Sequence, residues 1–142
     1  MNPFQSLRDY ERFVYTLQSR FPDLLSSTLI IQRRGRLFAE LTGELLHRNG
    51  CRLLAYERLS WDAGPLHIVG YSYEVWHGAE KLYWYDCQPH PSEPTLASTH
   101  PHHKHLPPDL RHHRVPAPGL TFTAPNLPLL LQELASLRLG AA

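Results

Sequence analysis

The chain has 142 residues, 42% of them apolar and 19% charged, with a formal net charge of +1. That length allows one domain with a modest core, and the near-neutral balance excludes attraction to nucleic acid through a global field, leaving only local patches. Cys51 and Cys87 are the only cysteines and lack CxxC spacing, which excludes a disulfide scaffold or zinc ribbon; without an apolar run near eighteen residues or a signal-type N-terminus, a cytoplasmic protein with no membrane partner is expected.

The first patterned stretch, SLRDYERFVYTLQSRF, sets Leu7, Tyr10, Val14, Leu17 and Phe21 at spacings of three and four. This predicts an amphipathic helix with one buried stripe, capped by Ser6 and closed by Pro22. From Ser27 to Trp61 the composition turns to strand formers. Asn49-Gly50 predicts a two-residue type I′ hairpin. That register sets Leu46 opposite Leu53, Leu45 opposite Leu54 and Gly43 opposite Tyr56. It also puts Glu57 on one face with Leu53, Leu46 and Glu44. Arg34-Gly35 marks a second tight link, and LHIVGYSYEVW, HGAE and KLYWYDC make a further hairpin. Four or five antiparallel strands in a meander are therefore expected.

Residues 88–118 hold eight prolines, and seven of the ten histidines fall between His90 and His113. The segment has no period and predicts an irregular histidine- and proline-rich loop, a kind of stretch that is functional or disordered. Order returns in APNLPLLLQELASLRLG, a short C-terminal helix with Asn126 as cap, Pro128 in its first turn and an end near Gly140. The expected fold is one α+β domain over residues 1–142: helix, antiparallel sheet, loop, helix.

The segments RLLAYERL, GYSYEVW, YWYDCQPH and PHHKHL, in this order, resemble those of the TumE-type toxins of toxin–antitoxin pairs. PHHKH stands unaltered as Pro101 to His105. Against a YDNAPHH-like pattern, Tyr85, Asp86, Pro89 and His90 match, while Cys87, Gln88 and Pro91 depart from it. The resemblance implies a small toxin neutralised by a helix-turn-helix antitoxin. Small toxins with an open antiparallel sheet are often ribonucleases that use no metal or other cofactor, and by this fold-level analogy RNA is the expected target. A homo-oligomer is compatible with the resemblance.

Metal-free RNA cleavage needs a base, an acid and a cation at the phosphate, and imidazole suits both proton roles. In an extended loop side chains alternate, so His103 and His105 point one way and His102 and Lys104 the other. The expected catalytic set is His103 and His105, assisted by His102 or His90. Lys104 binds phosphate, Arg111 and Arg114 add positive charge, and Asp86 and Glu57 orient the rings. Arg33, Arg34 and Arg36 form a basic turn suited to RNA phosphate or an acidic antitoxin. Two other readings stay open: the histidines ligate a metal, although no H-E-x-x-H or cysteine pair supports one, or they only pack loop against sheet. A non-enzymatic partner-binding protein working through its sheet face is the alternative function.

Overall fold

A computed structural model describes residues 2–139. The N-terminal helix forms in two pieces, α1 (Leu7–Tyr15) and α2 (Leu17–Arg20). Ser6 caps the first, its hydroxyl accepting the Asp9 N–H at 3.1 Å. The break falls at Thr16, whose hydroxyl donates back to the Arg12 carbonyl at 2.7 Å, the competition with helix that threonine offers. Leu7, Tyr10, Val14 and Leu17 are buried as the spacing requires, and Phe21 is partly so.

Eight strands follow in one antiparallel sheet: β1 (Leu24–Ser27), β2 (Ile30–Arg33), β3 (Phe38–His47), β4 (Cys51–Ser60), β5 (His67–His77), β6 (Glu80–Asp86), β7 (His103–His105) and β8 (Arg114–Pro116). Their order is β1-β3-β4-β5-β6-β7-β8, with β2 also paired to β3. The four long strands are the expected meander. β1 and β2 both run along β3, and the chain linking them presses on Gly43, where a Cβ would fall 2.6 Å from the Thr28 carbonyl oxygen. β7 and β8 arise from the segment predicted to be irregular, because the free edge of β6 supplies backbone partners its sequence does not advertise.

The β3–β4 connection corrects the predicted register. Asn49 keeps a negative φ and only Gly50 is positive, at 90°, so the two-residue type I′ turn, which needs both positive, does not form. Three residues, Arg48 to Gly50, make the link instead, with the Gly50 N–H on the His47 carbonyl. One extra residue moves every pair by one: Leu45 faces Leu53, Leu46 faces Arg52 and Gly43 faces Ala55. Glu44 and Leu46 thereby move to the face opposite Glu57.

The sheet has two different faces. On one, Leu41, Leu45, Leu53, Leu59, Ile68, Tyr73 and Val75 pack against α1 and against α3 (Leu127–Ala135), which contributes Leu127, Leu130, Leu131 and Leu134. Each such leucine is worth about 1.5–3 kcal/mol of burial. Asn126 precedes α3, but its side chain turns inward, donating to Tyr73 and accepting from the Thr121 N–H, so it does not cap the helix. The expected end near Gly140 lies outside the described residues; α3 stops at Ala135. The other face carries Arg52, Tyr56 and Arg58 of β4, Ser72 and Glu74 of β5, and Trp84 and Asp86 of β6, alternate to the core positions. Among the described residues no helix is long and apolar enough to cross a membrane.

Candidate active site

β7 pairs antiparallel to β6 with His103 opposite Asp86 and His105 opposite Trp84. Residues opposed on one face lie close together, so the two imidazoles meet the carboxylate. His103 Nε2 is 2.6 Å from Asp86 Oδ1 and His105 Nε2 is 3.3 Å from Asp86 Oδ2. The two Nε2 atoms are 3.1 Å apart. Each ring is anchored from behind, His103 Nδ1 on the Pro101 carbonyl (3.1 Å) and His105 Nδ1 on the Leu110 carbonyl (2.6 Å). A carbonyl only accepts, so both Nδ1 atoms carry hydrogen and both Nε2 atoms face the carboxylate. Asp86 is fixed in turn by the Trp84 indole N–H on Oδ2 (3.0 Å) and the Gln88 N–H on Oδ1 (3.2 Å).

The three groups differ in charge preference. Burial works against the charge on Asp86, yet the His103 bond, the indole and the backbone N–H hold its carboxyl at about 2. Burial also works against His103⁺, but the bonds to Asp86 and the Pro101 carbonyl raise it above the ordinary value. For His105 burial prevails and the ring is held below it. The charged forms of Asp86 and His103 therefore favour each other, while burial favours a neutral His105.

Other predicted residues divide between this cluster and places remote from it. His90 belongs beside it, its ring edge-on to His103 with centroids 4.7 Å apart. Arg114, opposite His105 on β8, is the cation whose charge bears on His103, and it pairs with Glu93 at 3.3 Å. The alternation that brings His103 and His105 together turns His102 and Lys104 to the core face. His102 bonds the Tyr71 hydroxyl at 2.6 Å and packs on Phe122. Lys104 pairs with Glu133 of α3 at 3.1 Å, its ammonium 4.2 Å from the Tyr83 ring centroid, which takes it away from any phosphate near the histidines. Lys104→Ala is accordingly expected to leave toxicity unchanged while costing on the order of 1 kcal/mol in a urea melt.

Glu57 also departs from its expected role. It is fully buried on the core face and accepts hydrogen bonds from the Tyr10 and Tyr73 hydroxyls, each at 2.5 Å; Asp86 and the two imidazoles lie on the other side of the sheet. The basic turn sits at the far edge from β7, with Arg33 on Glu11 (3.7 Å) and Arg34 on Glu40 (3.2 Å), while Arg36 is exposed. Arg111 is exposed in the β7–β8 connection. None of these four arginines forms part of the cluster.

The groove beside the cluster has a volume of about 400 Å³ and is lined by Tyr56, Arg58, Ser72, Glu74, Trp84 and Asp86, among others. It runs on across the open face past Tyr56, Ser72 and Glu74 toward Gly43 and Thr28. Asp86 is its only member from the cluster, with a side chain 21% exposed; His103 and His105 are 1% and 3% exposed behind it. Arg58 is the groove residue that sequence reasoning missed. The signal was present: in RLLAYERLS it alternates with buried Glu57 and Leu59 and shares its face with Tyr56.

A one-sided α+β protein emerges, with helices on one face of an antiparallel sheet and, on the other, a polar groove ending at a buried carboxylate–imidazole cluster. The family model for "Toxin TumE" matches residues 12–138, and the chain belongs to that family. Membership makes it a toxin of a toxin–antitoxin system and implies an antitoxin as partner. No curated protein and no solved structure matches the chain.

Proposed function

We propose that this toxin acts on RNA as an endoribonuclease, the strand lying along the open sheet face with a phosphate at Asp86. The observation that carries the reading is that Asp86 belongs to both groove and cluster: one carboxylate borders the open groove and two imidazoles at once. Arg58 offers a cation to the phosphate, and Trp84 and Tyr56 offer faces for bases to stack on, worth about 1–3 kcal/mol each. In the reaction the 2′-oxygen forms a bond to phosphorus and the bond to the 5′-oxygen breaks. A proton leaves the first oxygen and one reaches the second, an exchange that this reading assigns to Asp86 and its imidazoles. The products carry 2′,3′-cyclic phosphate and 5′-hydroxyl ends.

The test is analysis of fragment ends after antitoxin-free toxin meets single-stranded RNA. Cyclic phosphate ends support the reading; RNA left intact by protein that still arrests growth overturns it. Arg58→Ala is expected to weaken RNA binding and to reduce the slope of log K against log salt by about 0.7, one single-strand phosphate contact. Titration at four salt concentrations reads this out. The deep burial of both rings favours one other reading, in which the cluster only staples β7 to β6 and the open face binds a protein partner. Under it, His105→Gln leaves growth arrest intact while Arg58→Ala abolishes it.

A further inference from the structure

The cluster poses a problem of charge. With both Nδ1 hydrogens committed to carbonyls, two Nε2 lone pairs and a carboxylate converge within 2.6–3.3 Å. As acceptors facing acceptors they repel one another unless something positive, a proton or a metal ion, lies between them. A proton on His103 serves the shortest edge directly and leaves His105 Nε2 without a hydrogen of its own. A divalent ion would serve all three.

The dimensions fit such an ion. Four zinc bonds of about 2.0–2.1 Å at tetrahedral angles set ligand atoms about 3.3 Å apart. The 3.1 Å between the two Nε2 atoms and the 3.3 Å from His105 Nε2 to Asp86 Oδ2 already have that length, while His103 Nε2, 2.6 Å from the other carboxylate oxygen, Oδ1, has to draw back by about 0.7 Å if that oxygen is the ligand. The outer contacts also fit. Ligating histidines characteristically donate their other ring N–H to a carbonyl or carboxylate, and ligating carboxylates are themselves hydrogen-bonded. Here Pro101 and Leu110 hold the rings, and Trp84 and the Gln88 N–H hold Asp86.

We propose that Asp86, His103 and His105 bind one zinc ion, against the sequence-based expectation of a site without metal. Two imidazoles and a carboxylate, with no thiolate, suit a borderline divalent metal. Three protein ligands are the number found in catalytic zinc sites, whereas structural ones are closed by four. The open position is available to water or to a substrate oxygen, and Asp86 is the ligand that reaches the groove. Bound there, zinc would occupy both Nε2 lone pairs and the carboxylate, so that Lewis-acid activation of the phosphate or of a bound water would take the place of proton transfer by these three groups. The proposal rests on the RNA reading only for what the ion does, not for whether it binds.

The test uses the full-length chain, without a histidine tag, in complex with its antitoxin. The complex is incubated with zinc chloride, dialysed against metal-free buffer and analysed by mass spectrometry for zinc. About one ion per toxin chain is expected, falling at least ~10-fold in His103→Gln/His105→Gln and unchanged in His102→Gln and His112→Gln. Cobalt(II) in place of zinc should give the visible absorption of a protein-bound, low-coordinate ion in the wild type, which decides the matter even if the double variant does not fold. Wild-type protein that retains no zinc and shows no cobalt band overturns the proposal, as does equal zinc in the double variant. Zinc bound without RNA cleavage removes the RNA reading alone. RNA cut equally well by a wild type that binds no zinc removes the metal alone.

Discussion

If the toxin cleaves RNA as proposed, Asp86→Asn is expected to lower cleavage by roughly 10²–10⁴-fold, the range for loss of a group that carries or positions proton transfer. The substitution keeps the size of the side chain and one of its two oxygens, so either the Trp84 N–H (on Oδ2) or the Gln88 N–H (on Oδ1) keeps its acceptor. It removes the negative charge that both Nε2 atoms face and presents an N–H₂ donor in its place. On the proposed reaction the loss should appear in kcat, because Asp86 would act at the reacting phosphate, whereas Arg58→Ala should appear chiefly in KM. Single-turnover cleavage against RNA concentration separates the two. A melting curve close to wild type for Asp86→Asn excludes unfolding as the cause.

The second large effect is on stability. Glu57→Ala strips two buried tyrosine hydroxyls of their acceptor at the centre of the core. At about 1–3 kcal/mol for each unsatisfied group, the cost is about 2–6 kcal/mol before any cavity is counted. That is a large part of a typical total of about 5–15 kcal/mol, so the expected result in a urea melt is a protein near the limit of folding. The same residue gives a pH signature. Burial raises the Glu57 carboxyl above its ordinary 4.5, so the folded state holds that proton more tightly than the unfolded chain. Its contribution is present at low pH and is lost as pH rises from about 4.5 through the folded value. Glu57→Gln cannot ionise, and its stability should fall less than the wild type's over that interval.

How much of this was legible in the sequence depends on whether the signal was local. The amphipathic stripe of α1, the β5–β6 hairpin and α3 follow from periodicity, and the alternation in HKH correctly put His103 with His105 and Lys104 with His102. The β3–β4 register did not follow, because Asn49-Gly50 is compatible with two loop lengths and the difference lies in the φ of a single asparagine. Nor did β7 and β8: three-residue strands owe their existence to the edge they join, so nothing within them announces pairing. Glu57 was misassigned for a related reason. A carboxylate in a buried strand signals a partner, but the tyrosines that satisfy it come from α1 and β5, and only the fold brings them together. Arg58 was overlooked as the surface neighbour of Glu57, although alternation alone sets the two on opposite faces.

In the proposed function the toxin acts from the open face of its sheet, through the cluster that Asp86 shares with His103 and His105. Growth on induction, at matched protein levels, of wild type, Asp86→Asn, His105→Gln and Lys104→Ala tests it most directly, because Lys104 stands on the same strand but on the other face. Arrest is expected with wild type and Lys104→Ala, and normal growth with Asp86→Asn and His105→Gln. Arrest by all four, or relief by Lys104→Ala alone, would contradict that function.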